Sequence, residues 1–136
     1  MGAAATRKLI KSYYEAFNQQ DTAGMLDCLA SSFVHEVNQG ERRRGKRKFA
    51  EFLQHMNSRY VEKLGNIVIM SSPDGTRAAA EFDLKGKYVA TDEGLPPAVG
   101  QTYKLRVGAF FEIREGKISR VSTHYNLAEW TRQVVG

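Results

Sequence analysis

A chain of 136 residues, 42% hydrophobic and 26% charged, has room for one packed domain and the balance of an ordinary globule rather than of a disordered or membrane chain. No apolar run approaches the roughly 20 residues that a spanning helix needs, and the single cysteine, Cys28, excludes an internal disulfide. The net charge of +5 is concentrated in Arg42, Arg43, Arg44, Lys46, Arg47 and Lys48. Without interleaved aromatics, this run reads as a solvated loop leading into a helix and argues against a nucleic-acid surface. Residues 1–8 contain no apolar leader segment, so a cytoplasmic location is expected, with no membrane association.

Leu9, Ile10, Tyr13, Ala16 and Phe17 recur at helical spacing and predict an amphipathic helix over 6–19. Asp21 is placed to cap a short second helix over 22–29, which Ala30-Ser31-Ser32 ends. Phe33, His35 and Val37 alternate with Val34, Glu36 and Asn38, as in a short strand with two unlike faces. Phe49, Phe52, Leu53, Met56 and Tyr60 form one stripe on a third helix from about residue 46. From Asn66 the period becomes two: Ile67–Met70, then 77–89, 102–114 and 117–125 read as strands, the last two joined by a tight Glu115-Gly116 turn. Gly86 and Gly108 are expected as bending points within those strands. A closing helix runs from Asn126 through Trp130 to Val134.

Helices first and long strands after them predict a single α+β domain over 1–136, with helices packed on one face of a bent, mostly antiparallel sheet. The hollow between the layers is the expected ligand site. The segment 91–100 is longer than a hairpin requires and carries Leu95-Pro96-Pro97-Ala98-Val99, which suits a partial lid over the mouth or a cover for the core edge.

Tyr13-Tyr14-Glu15-Ala16-Phe17-Asn18-Gln19-Gln20-Asp21 resembles the first-helix signature of the ketosteroid isomerase and SnoaL-like polyketide cyclase superfamily. Arg44-Gly45, Phe110-Phe111-Glu112-Ile113, Gly116-Lys117-Ile118 and Gln133-Val134 follow in matching order. The runs 92–97 and 100–103, and Tyr125-Asn126-Leu127 with Trp130, are similar to a bacterial ketosteroid-isomerase-related branch. The resemblance spans about residues 7–135 and implies the nuclear transport factor 2-like cone around an apolar pocket. In it, Tyr13 matches a tyrosine that donates to a developing oxyanion. The family's carboxylate base falls at Val37, its protonated aspartate at Ala109, and the proton-shuttling aspartate of the cyclases at Asn126.

These readings nominate His35, which shares strand parity with Val37, as base and Tyr13 as hydrogen-bond donor. The pocket is expected to draw on Phe17, Phe52 and Met56 from the helices. Val37, Asn38, Phe82, Leu105, Val107, Ala109 and Thr123 would come from the strands, and Leu95, Tyr125, Asn126 and Trp130 from its open end. Glu36, Asp83 and His124 have outward parity, and His55 belongs to a helix surface. No ligand spacing links His35, His55 and His124, so no metal and no other cofactor is expected. The function that follows is isomerase-like or hydratase-like proton transfer on an apolar carbonyl compound; the alternative is a non-catalytic small-molecule-binding module. A homodimer through the outer sheet face, where Phe110 shares parity with Arg106 and Glu112, is the expected assembly.

Overall fold

The computed structural model describes residues 2–136 and has the predicted α+β architecture. Its elements are α1 (Ala3–Asn18), α2 (Thr22–Asp27), β1 (Leu29–Val37), β2 (Arg42–Arg44), α3 (Lys46–Arg59), β3 (Tyr60–Ser71), β4 (Arg77–Tyr88), β5 (Thr102–Arg114), β6 (Lys117–His124) and α4 (Leu127–Val135). The strands form one curved six-stranded sheet in the order β2-β1-β6-β5-β4-β3. Neighbours are antiparallel except β1 and β6, which run parallel. No helix among the described residues is long and apolar enough to cross a membrane.

The helix α1 buries Ile10, Tyr13, Tyr14 and Ala16 at the spacing the sequence predicts. Tyr14 meets Phe82 of β4 at 5.0 Å between ring centroids, and Phe111 of β5 lies edge-on to both tyrosines. At its start, the fully buried Thr6 hydroxyl donates to the Gly75 carbonyl at 2.7 Å and fastens the helix to the β3–β4 turn. Asp21 caps α2 as expected, accepting from the Gly24 amide. Along α3, Phe49 and Leu53 face the sheet, and Phe49 meets Phe33 at 5.0 Å.

Three elements differ from the sequence reading. The first strand begins at Leu29, not Phe33, because Ala30-Ser31-Ser32 continues it through a register shift instead of ending a helix. The basic run is not a solvated loop: Arg42–Arg44 pairs with β1 as an edge strand, opposite Glu36, His35 and Val34. The third strand begins at Tyr60, directly where α3 ends, so Tyr60, Glu62 and Leu64 face inward and Val61 and Lys63 outward.

The β4–β5 register runs unbroken through Gly86 and Gly108. Gly86 has a definite steric task. It lies in a cross-strand row between Glu62 and Tyr103, and a Cβ placed there would come within 2.2 Å of the Tyr103 ring. The missing side chain lets that ring cross β4 and reach Glu62 on the far strand. Gly86→Ala should therefore destabilise the fold by about 1–3 kcal/mol, the usual cost of overpacking. Gly65→Ala, where a Cβ meets nothing, should stay within about 0.5 kcal/mol of the parent in the same denaturant titration.

Candidate functional site

Between the helices and the concave sheet face lies a cavity of about 350 Å³. Its wall is mainly apolar: Phe17, Phe52 and Met56 from the helices, Val37, Phe82, Leu105, Val107 and Thr123 from the strands, and Leu95, Tyr125 and Trp130 nearer the open end. Tyr13 and His35 both line it.

Three residues expected at the cavity stand elsewhere. Asn38, at φ 51° in the turn after β1, uses its Oδ1 to accept from the Tyr125 amide at 2.8 Å, and so secures the chain leaving β6. Asn126 turns its side chain to the Glu129 amide and caps α4. Ala109 is buried in the sheet between Ala80 and Thr123 and does not line the cavity. The outward readings match the placements: Glu36 and Asp83 pair with Arg42 and Arg106, and His124 lies against Phe110 on the convex face.

His35 is 4% exposed and sits among rings, 4.8 Å from Phe49 and 4.7 Å from Phe52 by centroids. Its Nδ1 has no hydrogen-bond partner. Burial, helped by the neighbouring Arg43 cation, pushes the imidazole down to about 4, so the ring is neutral at ordinary pH. Burial moves Tyr13 the other way, far above the usual phenol range, so its hydroxyl keeps its proton. The neutral imidazole thus offers one acceptor nitrogen, and the phenol a hydroxyl donor.

Two polar constellations at the site were missed by sequence reasoning. Glu62 lines the cavity, and the Tyr103 hydroxyl donates to its Oε2 at 2.5 Å. Burial raises the Glu62 carboxyl above its ordinary value against the opposing pull of that hydroxyl. Asp92, in the loop after β4, accepts from the Tyr60 hydroxyl at 2.7 Å and lies 2.8 Å from His55 Nε2. Burial alone would raise Asp92, but Tyr60, His55 and Arg59 outweigh it and hold the carboxyl below its usual range. Tyr60-Val61-Glu62-Lys63-Leu64 does alternate, and that period-two signal would have exposed Glu62 as an inward acid.

The long loop is tied at several points. The Tyr88 hydroxyl donates to the Pro96 carbonyl at 2.7 Å and accepts from the Asp92 amide at 2.8 Å. Leu95 reaches the cavity, whereas Val99 is 81% exposed and covers nothing.

His35 links the site to stability through pH. Its folded value lies below the unfolded one, 6.5, so the unfolded chain binds more protons between pH 6.5 and about 4. Stability contributed by the neutral ring is present above that window and is lost as pH falls through it, by about 3 kcal/mol in all. Chemical denaturation at pH 7 and pH 4 should show this loss in the parent and a smaller loss, by about that amount, in His35→Gln.

The SnoaL-like domain family matches residues 10–121 of the chain. No curated protein matches it. Among solved structures, a proposed polyketide cyclase from Xanthomonas campestris pv. campestris is 49% identical, with a TM-score of 0.94 over 97% of this chain and 98% of that one. A second from Pseudomonas putida KT2440 is 52% identical, with a TM-score of 0.92 over 96% and 97% of the two chains. A third from Silicibacter sp. TM1040 is 50% identical, with a TM-score of 0.94 over 98% of each. With the cone, the concave cavity and the family match in agreement, the chain belongs to the SnoaL-like domain family and has the nuclear transport factor 2-like fold.

Proposed function

We propose that this protein is a small-molecule enzyme that moves a proton on an apolar carbonyl compound held in the concave cavity. The observation that carries this reading is His35: a buried, neutral imidazole with an unpartnered nitrogen in an apolar wall. Burying such a group unsatisfied costs about 1–3 kcal/mol, which function explains better than packing does. The likeness to proposed polyketide cyclases supports a carbonyl-rich substrate.

In this mechanism His35 takes a proton from the carbon beside the carbonyl; the C–H electron pair forms the new C=C bond, and the carbonyl π pair moves onto oxygen. Tyr13 donates to that oxygen as charge develops, in a cavity where water screens little. With a β,γ-unsaturated substrate the imidazolium returns the proton at the γ-carbon, the isomerase-like outcome; with a β-hydroxyl it protonates the departing oxygen, which leaves as water while the carbonyl reforms, the hydratase-like outcome. Val37 and Ala109 supply no carboxylate, so the base falls to the imidazole.

The alternative, a module that binds without turnover, is separated by one probe. With 2-tetralone in D2O, the parent should catalyse exchange of the α-protons, with the rate falling by about 10²-fold or more in His35→Gln. Tyr13→Phe should lower it by about 10²-fold. Tetralone that binds but exchanges no faster than in buffer would favour the binding module, and an undiminished rate in His35→Gln would remove the base assignment.

The assembly we propose is a homodimer through the convex face. Met70, Ala79 and Phe110 form a cross-strand row there, and Met70 and Phe110 are 51% and 52% exposed. Covering these side chains would remove apolar surface from water on a face that also carries the Arg77–Glu112 and Arg106–Asp83 pairs. Sedimentation should give a dimer at micromolar concentration and a monomer for Phe110→Asp; a monomeric parent would overturn the assembly.

A further inference from the structure

We propose that Arg43 is an anion-binding subsite of the cavity, and that the ligand is an apolar acid presenting a carboxylate or ionised enol beside His35. This rests on the reading that the cavity holds an apolar molecule.

Strand register makes the assignment. Within β2, Arg42 and Arg43 point to opposite faces of the sheet. Arg42 pairs opposite Glu36 and forms an ion pair with it at 2.8 Å on the convex side. Arg43 pairs opposite His35 and lines the cavity. Its guanidinium carbon lies 4.4 Å from the Phe52 ring centroid, so the planar group is seated on the aromatic wall. Among the described residues Arg43 makes no side-chain hydrogen bond and no ion pair. Stacking engages the face of a guanidinium and leaves its edge N–H groups available, and that fork matches the two oxygens of a carboxylate.

One further observation fixes the polarity. The carboxyl groups of Glu62 and Asp92 also line the cavity, with Glu62 on β3 at the opposite edge of the sheet from β2. Asp92 is compensated by His55 and Arg59, but Glu62 has only the Tyr103 hydroxyl. An anionic end would be repelled from the β3 side and attracted to the β2 side, so one orientation is selected. A neutral hydrocarbon would gain nothing from this asymmetry.

Calorimetric titration with 2-naphthoate and with 2-naphthylmethanol, which keeps the apolar body but lacks the charge, tests the proposal at pH 7. The parent should bind naphthoate about tenfold more tightly than the alcohol, the size expected for a charge-assisted contact. Arg43→Gln should abolish that preference while the alcohol affinity stays within about twofold, and Arg43→Lys should keep part of it. A preference for naphthoate that survives Arg43→Gln would overturn the proposal, as would equal weakening of both probes, which marks Arg43 as wall only. Alcohol binding without any naphthoate preference in the parent would overturn the Arg43 proposal alone. Failure of both probes to bind the parent would overturn the cavity reading and the proposal with it.

Discussion

A neutral imidazole inside an apolar wall is costly to hold, and the arrangement around His35 shows how the fold sustains it. Phe33, Phe49 and Phe52 surround the ring, while the Arg43 cation stands on the adjacent strand. Low polarity and a nearby positive charge both disfavour the imidazolium, so the ring stays an acceptor. That state depends on the helix α3 staying packed over β1. It also depends on the β1–β2 turn, where Asn38 and Gln39 adopt left-handed backbone angles and the Gly40 amide closes on the Val37 carbonyl at 2.9 Å. Without that turn Arg43 would not face His35.

The same logic of strand parity organises the opposite end of the cavity. Glu62, Gly86 and Tyr103 stand in one row across β3, β4 and β5. The glycine removes the side chain that would block the phenol, and the phenol holds the acid. Trp130 of α4 lies edge-on to Tyr60, Tyr88 and Tyr103, so the closing helix braces this end. The cavity is thus polar at two separated places and apolar between them, a form suited to orienting an elongated ligand.

Much of this was legible from residues alone, for stated reasons. The stripes of α1 and α3 and the alternation of β4, β5 and β6 are long enough to reveal their period, and the parity of His35 with Val37 placed the imidazole inward. The first-helix signature carried the fold family. Other parts leave no pattern within a single segment. Tyr60 continues the apolar stripe of α3, so no Gly or Pro marks where the helix yields to β3, and Glu62 stayed out of view. Arg42–Arg44 has no apolar alternation, because this three-residue edge strand is held by backbone pairing with β1 and by contacts of its arginines with Glu36 and Phe52. The pairing of Arg43 with His35, and the row through Gly86, are facts of register that no single strand carries.

The whole site turns on His35 standing uncharged within the cavity. Its ring ¹³C and ¹⁵N shifts, followed by NMR across pH, measure that directly. A neutral ring from pH 8 down to about 5, with its midpoint near 4, is the predicted result. A midpoint at or above the ordinary histidine value of about 6.5 would place the ring in a polar, water-filled setting and contradict the account.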